Sequence, residues 1–390
     1  LKVNDFGHAF IFGKFSRFEK LTANYLLIIK GIRVISGVFF VGMIILLIIG
    51  IFHHRYKLKK LFNPTKIVAV IVAHNEEDSI GLVLDSCLDA HFNEVYLVAD
   101  SCTDRTVEIA KSKSAHILEV NKKSKTLSLN ATIPVIVTKE GKNSFYMFFD
   151  SGNIFKSSLL NDILPFIQAY PILQLRTRNL NKDSWVSRMF VIMSAFYFKV
   201  QNALMNLHLS TILAGFGWGA YGWVFRKYPF ECNSVVDDFE YTLEVGLTIA
   251  YISTIDIFDE KTDDFIVSFK QRLRWTRGYF YEFFIELKKF KQKPYLLLIP
   301  LTLLFWIFSL FGLIKSVNLT FVISSFILNT LVFLATLDRE DIKSLKPYDL
   351  FTFYFFNLTS LIIILFALFT FKDLSWYRTP HKGIVLKKTD

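Results

Sequence analysis

The chain has 390 residues, 52% of them hydrophobic, 16% aromatic (42 are Phe) and 20% charged. That is too apolar for an ordinary soluble enzyme and too charged to lie in lipid throughout, so one soluble domain joined to several membrane spans is expected. The net charge of +11 fits basic residues gathered beside cytoplasmic helix ends, and no helix-turn-helix, zinc-finger or RNA-binding signature argues for a nucleic-acid partner.

Residues 1–65 form an N-terminal segment with one anchor, because Val34 to Phe52 is uncharged and about 20 apolar residues suffice to cross a bilayer. A basic run, His53 to Lys60, follows it and favours a cytoplasmic position for residue 60, although the preceding segment is basic as well (Lys14, Arg17, Lys20, Lys30, Arg33) and charge alone does not settle the orientation. Residues 66–290 have the look of a cytoplasmic α/β domain. Ile67 to Ala73 is continuous, apolar and β-branched, as in a strand of a parallel sheet covered on both faces. It closes on His74-Asn75-Glu76-Glu77-Asp78. A second strand, Glu94 to Ala99, ends at Asp100-Ser101-Cys102-Thr103-Asp104, and a third, Ser144 to Phe149, at Asp150-Ser151-Gly152-Asn153. In open α/β sheets the ligand lies outside the carboxyl ends of the strands, so these acids point to one crevice, although Asp104 and Asp78 also suit helix N-caps. Three cysteines (Cys87, Cys102, Cys232) without CxxC spacing speak against a disulfide framework or a zinc site. An amphipathic helix near 265–290 is expected to lie at the membrane surface. Three apolar runs follow within residues 295–371, at Tyr295–Ile314, Ser316–Leu337 and Leu350–Phe371, and then a basic tail, residues 372–390. Three crossings would leave that tail outside, against the positive-inside tendency. A re-entrant run, a further membrane segment or an exceptional tail would each account for it.

Several constellations carry chemistry. Asp100, Asp104 and Asp150 make a negative crevice that suits a divalent cation, and Mg2+ or Mn2+ takes one or two protein carboxylates together with phosphate oxygens. Lys125 offers a point charge to phosphates. Asp237-Asp238 places two acids side by side, and burial with like charge raises a carboxyl towards a useful range for a general base. Gln271, Arg274 and Trp275 share one helical face, with a phosphate-matching fork at Arg274 and an aromatic plate at Trp275. The glycine-aromatic stretch Gly215 to Gly222, with Gly217 and Trp218, has neither phosphate-loop nor dinucleotide spacing. It reads as a surface for a sugar or lipid acceptor, or as close packing.

In this order the motifs resemble those of the membrane-integrated, inverting family 2 glycosyltransferases, such as the cellulose, hyaluronan, chitin and poly-N-acetylglucosamine synthases. Ala73-His74-Asn75-Glu76-Glu77 is similar to the family's first-strand motif, and Asp100 to Asp104 to its uridine-binding acids. Lys125 to Asn130 is similar to Lys-Gly-x-Ala-Leu-Asn, Asp237-Asp238 to the Glu-Asp pair, and Gln271 to Trp275 is Gln-x-x-Arg-Trp. The resemblance implies an α/β, glycosyltransferase A-type nucleotide-sugar-binding domain with α-helical transmembrane segments, in a multi-pass protein of the plasma membrane. It implies a UDP-sugar donor held by His74, Asn75, Glu76, Asp100, Asp104, Lys125, Asp150 and Arg274. Mg2+ or Mn2+ would sit at Asp150, Asp238 would be the base beside Asp237, and Gln271 and Trp275 would meet the acceptor. That acceptor would be a growing polysaccharide or a lipid-linked sugar, among membrane lipids, with room for an accessory secretion subunit. The chain departs from the family's Asp-x-Asp: Gly152 stands at the second acid, and Asn153 is at best a neutral oxygen donor. The departure leaves three readings open: a metal held by Asp150, the diphosphate and a ligand from elsewhere; a site relying more on Lys125 and Arg274; or a weakened or non-catalytic protein that keeps the fold.

Overall fold

The computed structural model describes residues 41–301 except 43 and 53, residues 345–375, the single positions 303, 330, 334, 337, 342, 343 and 379, and residues 381–383. Helical residues 41–42 and 44–51 are designated α1. Eight strands then form one mixed sheet: β1 (Ile67–Ala73), β2 (Glu94–Asp100), β3 (His116–Val120), β4 (Phe145–Asp150), β5 (Asn153–Ile154), β6 (Ile172–Asn179), β7 (Trp218–Tyr221) and β8 (Ala250–Asp259), in the order β3-β2-β1-β4-β7-β6-β8-β5. β1 pairs in parallel with β2 and β4, and β2 with β3. β7 runs antiparallel between β4 and β6, β8 is parallel to β6, and the two-residue β5 closes the far edge against β8.

The strand order reverses at β1, which has β2 on one side and β4 on the other. The crevice outside the carboxyl ends of β1 and β4 is therefore the topological switch point, where such sheets bind ligands. β1 is buried along nearly its whole length, as expected of a strand with helices on both faces. The helices are α2 (Ile80–Asp89), α3 (Thr106–Ser112), α4 (Lys125–Glu140), α5 (Leu159–Ile167), α6 (Trp185–Asn206), α7 (Gly222–Lys227), α8 (Asp237–Glu244), α9 (Phe265–Phe284) and α10 (Asp349–Thr370).

The third expected strand forms one residue later than read, at Phe145–Asp150, and β3, β5, β6, β7 and β8 add strands that the motif pattern did not mark. The surface helix expected near 265–290 is α9, which ends at Phe284 and gives way to two 3-10 turns, Leu287–Gln292 and Pro294–Leu297. α10 coincides with the run Leu350–Phe371. Among the described residues it is the one helix long and apolar enough to cross a membrane. The other two C-terminal runs, and residues 34–40 of the N-terminal one, lie mostly or wholly outside the described residues.

α6 joins the domain to both flanking helices. At its carboxyl end the Asn206 Nδ2 donates to the carbonyls of Ile49 (3.0 Å) and Phe52 (2.8 Å). A Cβ on Gly50 would lie 2.0 Å from the Lys199 carbonyl oxygen, so only glycine permits this approach of α1. At the amino end Arg188 forks onto both oxygens of Asp349, the first residue of α10, with both side chains 4% exposed.

Candidate active site

The loops at the ends of β1 and β2 are built from the acids the sequence singles out. Asp100 Oδ1 accepts from the backbone N–H of Lys122 (2.8 Å) and Lys123 (2.9 Å), and Oδ2 from that of Ser124 (2.8 Å). The Ser101 hydroxyl adds a fourth bond at 2.9 Å. Burial opposes its charge, but these donors hold the carboxyl below its ordinary range. Three of these bonds fall on Oδ1 and one on Oδ2, so Asp100 folds the turn that starts α4 and keeps acceptor capacity on Oδ2. Asp104 receives Thr106 N–H (3.0 Å) and hydroxyl (2.5 Å) and Glu77 N–H (3.1 Å), tying the first residue of α3 to the β1 loop. Asn75, at φ 55°, accepts from Thr103 N–H at 2.7 Å. His74 Nδ1 lies 2.6 Å from the Asp100 carbonyl. Glu76 is buried; its Oε2 accepts from Ser79 Oγ (3.1 Å) and faces His381 Nδ1 (3.1 Å).

α4 begins at Lys125 after Ser124, whose side chain caps the Leu127 N–H. Lys125 Nζ reaches Asp150 Oδ1 at 2.5 Å and the Gly215 carbonyl at 2.9 Å. Burial works against its charge, but Asp150 and Asp237 outweigh it and hold the ammonium above its ordinary range. Thr126 and Asn130 bond the backbone of Ser234 and Cys232, fastening α4 to the segment that leads into α8. Beyond Asp150, Asn153 is wholly buried: its Oδ1 accepts from Asp150 N–H and its Nδ2 donates to Asp259 Oδ1. It braces the turn, and its oxygen is taken.

Asp237 and Asp238 open α8. Burial above all, then the neighbouring Asp237 charge, pushes Asp238 up to about 7. Asp237 is also raised by burial, with Lys125 opposing. A Cβ on Gly215 would stand 3.7 Å from Asp238 Oδ2, so the Gly215 turn (φ 76°) has Lys125 on its carbonyl and Asp238 beside its Cα. A cavity of about 330 Å3 adjoins this group, lined by the turn into α4 and its first residues (Lys122 to Leu127), by Asn233 to Val235, and by Asp237, Arg274 and Leu374. Burial holds the Arg274 guanidinium below its ordinary range, opposed by Asp237 and Asp150, and its Nε and Gln271 Oε1 are buried without a partner. Trp275 packs on the apolar cluster of Leu204, Val236, Phe239 and Phe290, its ring 6.4 Å from that of Phe190.

The model of the family described as "Glycosyltransferase like family 2" matches residues 64–278, more than half of the chain. The chain belongs to this family. No curated protein matches it. Among solved structures, the mannosyltransferase from Pyrobaculum calidifontis, in complex with GDP-Man and Mn2+, superposes with a TM-score of 0.58 at 12% identity, covering 86% of this chain and 99% of that one. TarS residues 1–349 from S. aureus gives 0.39 at 14% (84% and 98%), and glucosyl-3-phosphoglycerate synthase from Mycobacterium tuberculosis 0.37 at 16% (50% and 72%). The first establishes the glycosyltransferase A-type fold and nothing finer.

Within this family 2 domain ten of the residues marked by sequence divide into three groups. Lys125, Asp150, Asp237, Asp238 and Arg274 converge on the cavity and the Gly215 turn. Asp100, Asp104 and Asn75 shape the loops around it. Gly217 and Trp218 are corrected outright: Trp218 is 2% exposed, stacked between Phe148 and Phe230, and Gly217 is a buried turn residue bonded to Phe148 and Leu175. They are core, with no face for an acceptor. Missed by sequence reasoning are the Gly215 carbonyl, the buried Lys261–Asp259 pair and His381, a lone histidine in a basic tail that no periodicity marks.

Proposed function

We propose that this protein transfers a sugar from a nucleoside-diphosphate sugar, a UDP-sugar, to an acceptor hydroxyl with inversion. The observation that carries the reading is the meeting of two charge pairs on one glycine turn: Lys125–Asp150 on the Gly215 carbonyl, and Asp237–Asp238 beside it. The donor diphosphate lies against Lys125 and the Arg274 fork, whose unpartnered Nε suits a phosphate oxygen. Asp238 takes the proton from the acceptor hydroxyl. That oxygen attacks the anomeric carbon from the opposite face, and the bond to the diphosphate oxygen breaks.

A single carboxylate beside two phosphate oxygens is an ordinary magnesium or manganese donor set, and Asp150 stands where it would supply that carboxylate. The ion, when bound, neutralises charge on the departing diphosphate. The P. calidifontis relative was solved with such an ion and a GDP-sugar.

The acceptor on this reading is a growing polysaccharide at the cytoplasmic face of the plasma membrane, in a multi-pass protein whose domain is set on the bilayer by α9 and α10. A second reading, one sugar added per lipid-linked acceptor, is favoured by Trp275, which packs into an apolar cluster instead of offering an open plate. Product length at saturating donor separates the two. Replacing Asp238→Asn lowers transfer by about 10²–10⁴-fold and leaves nucleotide affinity unchanged; turnover near the original rate overturns the base assignment.

A further inference from the structure

The chain comes back to the donor crevice at its other end. His381, Lys382 and Gly383 are held by two loops of the site, the first and third by the loop after β1 and the second by the loop after β8. His381 Nδ1 meets Glu76 Oε2 at 3.1 Å, after β1. Lys382 N–H donates to Glu260 Oε1 at 2.6 Å, after β8. Gly383, at φ 68°, lies so close to Asp78 that a Cβ would stand 2.1 Å from its carbonyl oxygen. Both the left-handed backbone and the approach demand glycine there.

The same segment accounts for Gly152. This glycine is not among those with positive φ, so its backbone accepts any residue. What excludes a side chain is the His381 ring: a Cβ at 152 would lie 2.7 Å from Cδ2 and 3.0 Å from Nε2. Two neighbouring imidazole contacts, one with Glu76 and one with the bare Gly152 backbone, place the ring between the ends of β1 and β4, beside Asp150. Burial draws the His381 imidazole down, but Glu76, Asp259 and Asp150 prevail and raise it, so the ring lies in the negative field of the crevice.

We propose that residues 381–383 are a strap that builds the Gly152 side of the donor site, with His381 filling the volume a second acid would occupy. The lost carboxylate is then an exchange within one chain: a side chain removed from β4 and a ring supplied by the tail. The wall role rests on the donor reading above; the docking does not. Restoring an acid at 152 therefore expels the strap and does not repair the site.

The test uses the full-length protein in detergent. Without nucleotide, hydrogen exchange over residues 379–383 is compared in wild type, Gly152→Ala and Gly152→Asp. Both variants speed exchange there about tenfold or more, with β1 and β4 unchanged; equal protection in all three overturns the strap. Calorimetric titration with UDP and with GDP, each with Mn2+, then reads the wall. His381→Ala weakens binding about tenfold, as for one lost charge-assisted hydrogen bond, while His381→Gln, which keeps a donor for Glu76, retains most of it. Undiminished binding by His381→Ala overturns the wall role. Failure of wild type to bind either nucleotide sinks the donor reading and the wall with it, yet the exchange contrast still decides the docking, so the two failures are told apart.

Discussion

At the scale of single residues, the site turns on how two adjacent carboxyls share one charged neighbourhood. Burial and the Asp237 charge hold Asp238 near 7, far above the 3.8 of a free aspartate, and a base must be unprotonated to act. kcat/KM for transfer is expected to fall as pH drops through about 7. Asp237→Asn removes the like charge, so that limb moves to lower pH in a pH–rate profile; an unmoved limb assigns the shift to burial alone. Stability has the opposite sign. A carboxyl whose folded pKa is raised contributes its full stabilisation below the unfolded value and loses it as pH rises through the folded one. Asp238→Asn should therefore raise the melting temperature at pH 8 and change it little at pH 4, read by calorimetry at both. Lys125→Met leaves Asp150 without its cation and should weaken nucleotide binding more than it slows the bound complex.

At the scale of elements, α9 carries the arginine of the cavity and is seated by one glycine. A Cβ on Gly278 would lie 2.6 Å from Val236 Cγ2, and Val236 immediately precedes the Asp237-Asp238 pair. Gly278→Ala overpacks this contact, costing about 1–3 kcal/mol, and shifts the amino end of α8. Denaturant titration is expected to show the loss of stability, and activity should fall further than the folded fraction does. Elements with strong period or β-branched runs, β1 above all, were legible in the sequence because both faces of the strand are buried. β7 was not. Trp218 among glycines reads as a loop surface, yet Gly219 is glycine because Met147 Sδ and Phe145 Cε1 would each stand 2.5 Å from its Cβ. The glycine is there to admit the β4 side chains, and the tryptophan fills the core next to them. The Lys125–Asn130 motif was legible as chemistry at Lys125 alone. The tasks of Thr126 and Asn130 depend on a partner segment, 232–234, about a hundred residues away. Asp100 is hard to read for a related reason: an acid at a strand end looks the same in sequence whether it faces a ligand, the backbone of the next turn or both.

At the scale of the whole molecule, the tail bears on the crossings. Residues 381–383 lie against Glu76, Gly152 and Glu260, on the domain's own side. Were the C-terminal runs to traverse a bilayer, an even number of crossings would bring the tail back to this side, and a basic tail there would obey the positive-inside tendency; among the described residues α10 is the one helix long and apolar enough to cross. The Arg188–Asp349 pair joins the domain to α10 with both side chains buried. Arg188→Ala leaves a carboxylate buried without its cation, and about 3–5 kcal/mol of stability should go with it, seen as a lower unfolding midpoint in detergent. Its hold on one end of α6 has a counterpart at the other, where Asn206 grips α1. The two moorings are 18 residues apart on a single helix, about 27 Å at the helical rise. α9 adds further ties to α10, through Arg272 on Thr359, Arg277 on Thr370 and Asp373, and Phe280 packed on Ile364 and Ala367. The sheet therefore hangs on α10 as a shelf does on several brackets, and the two are expected to shift as one piece.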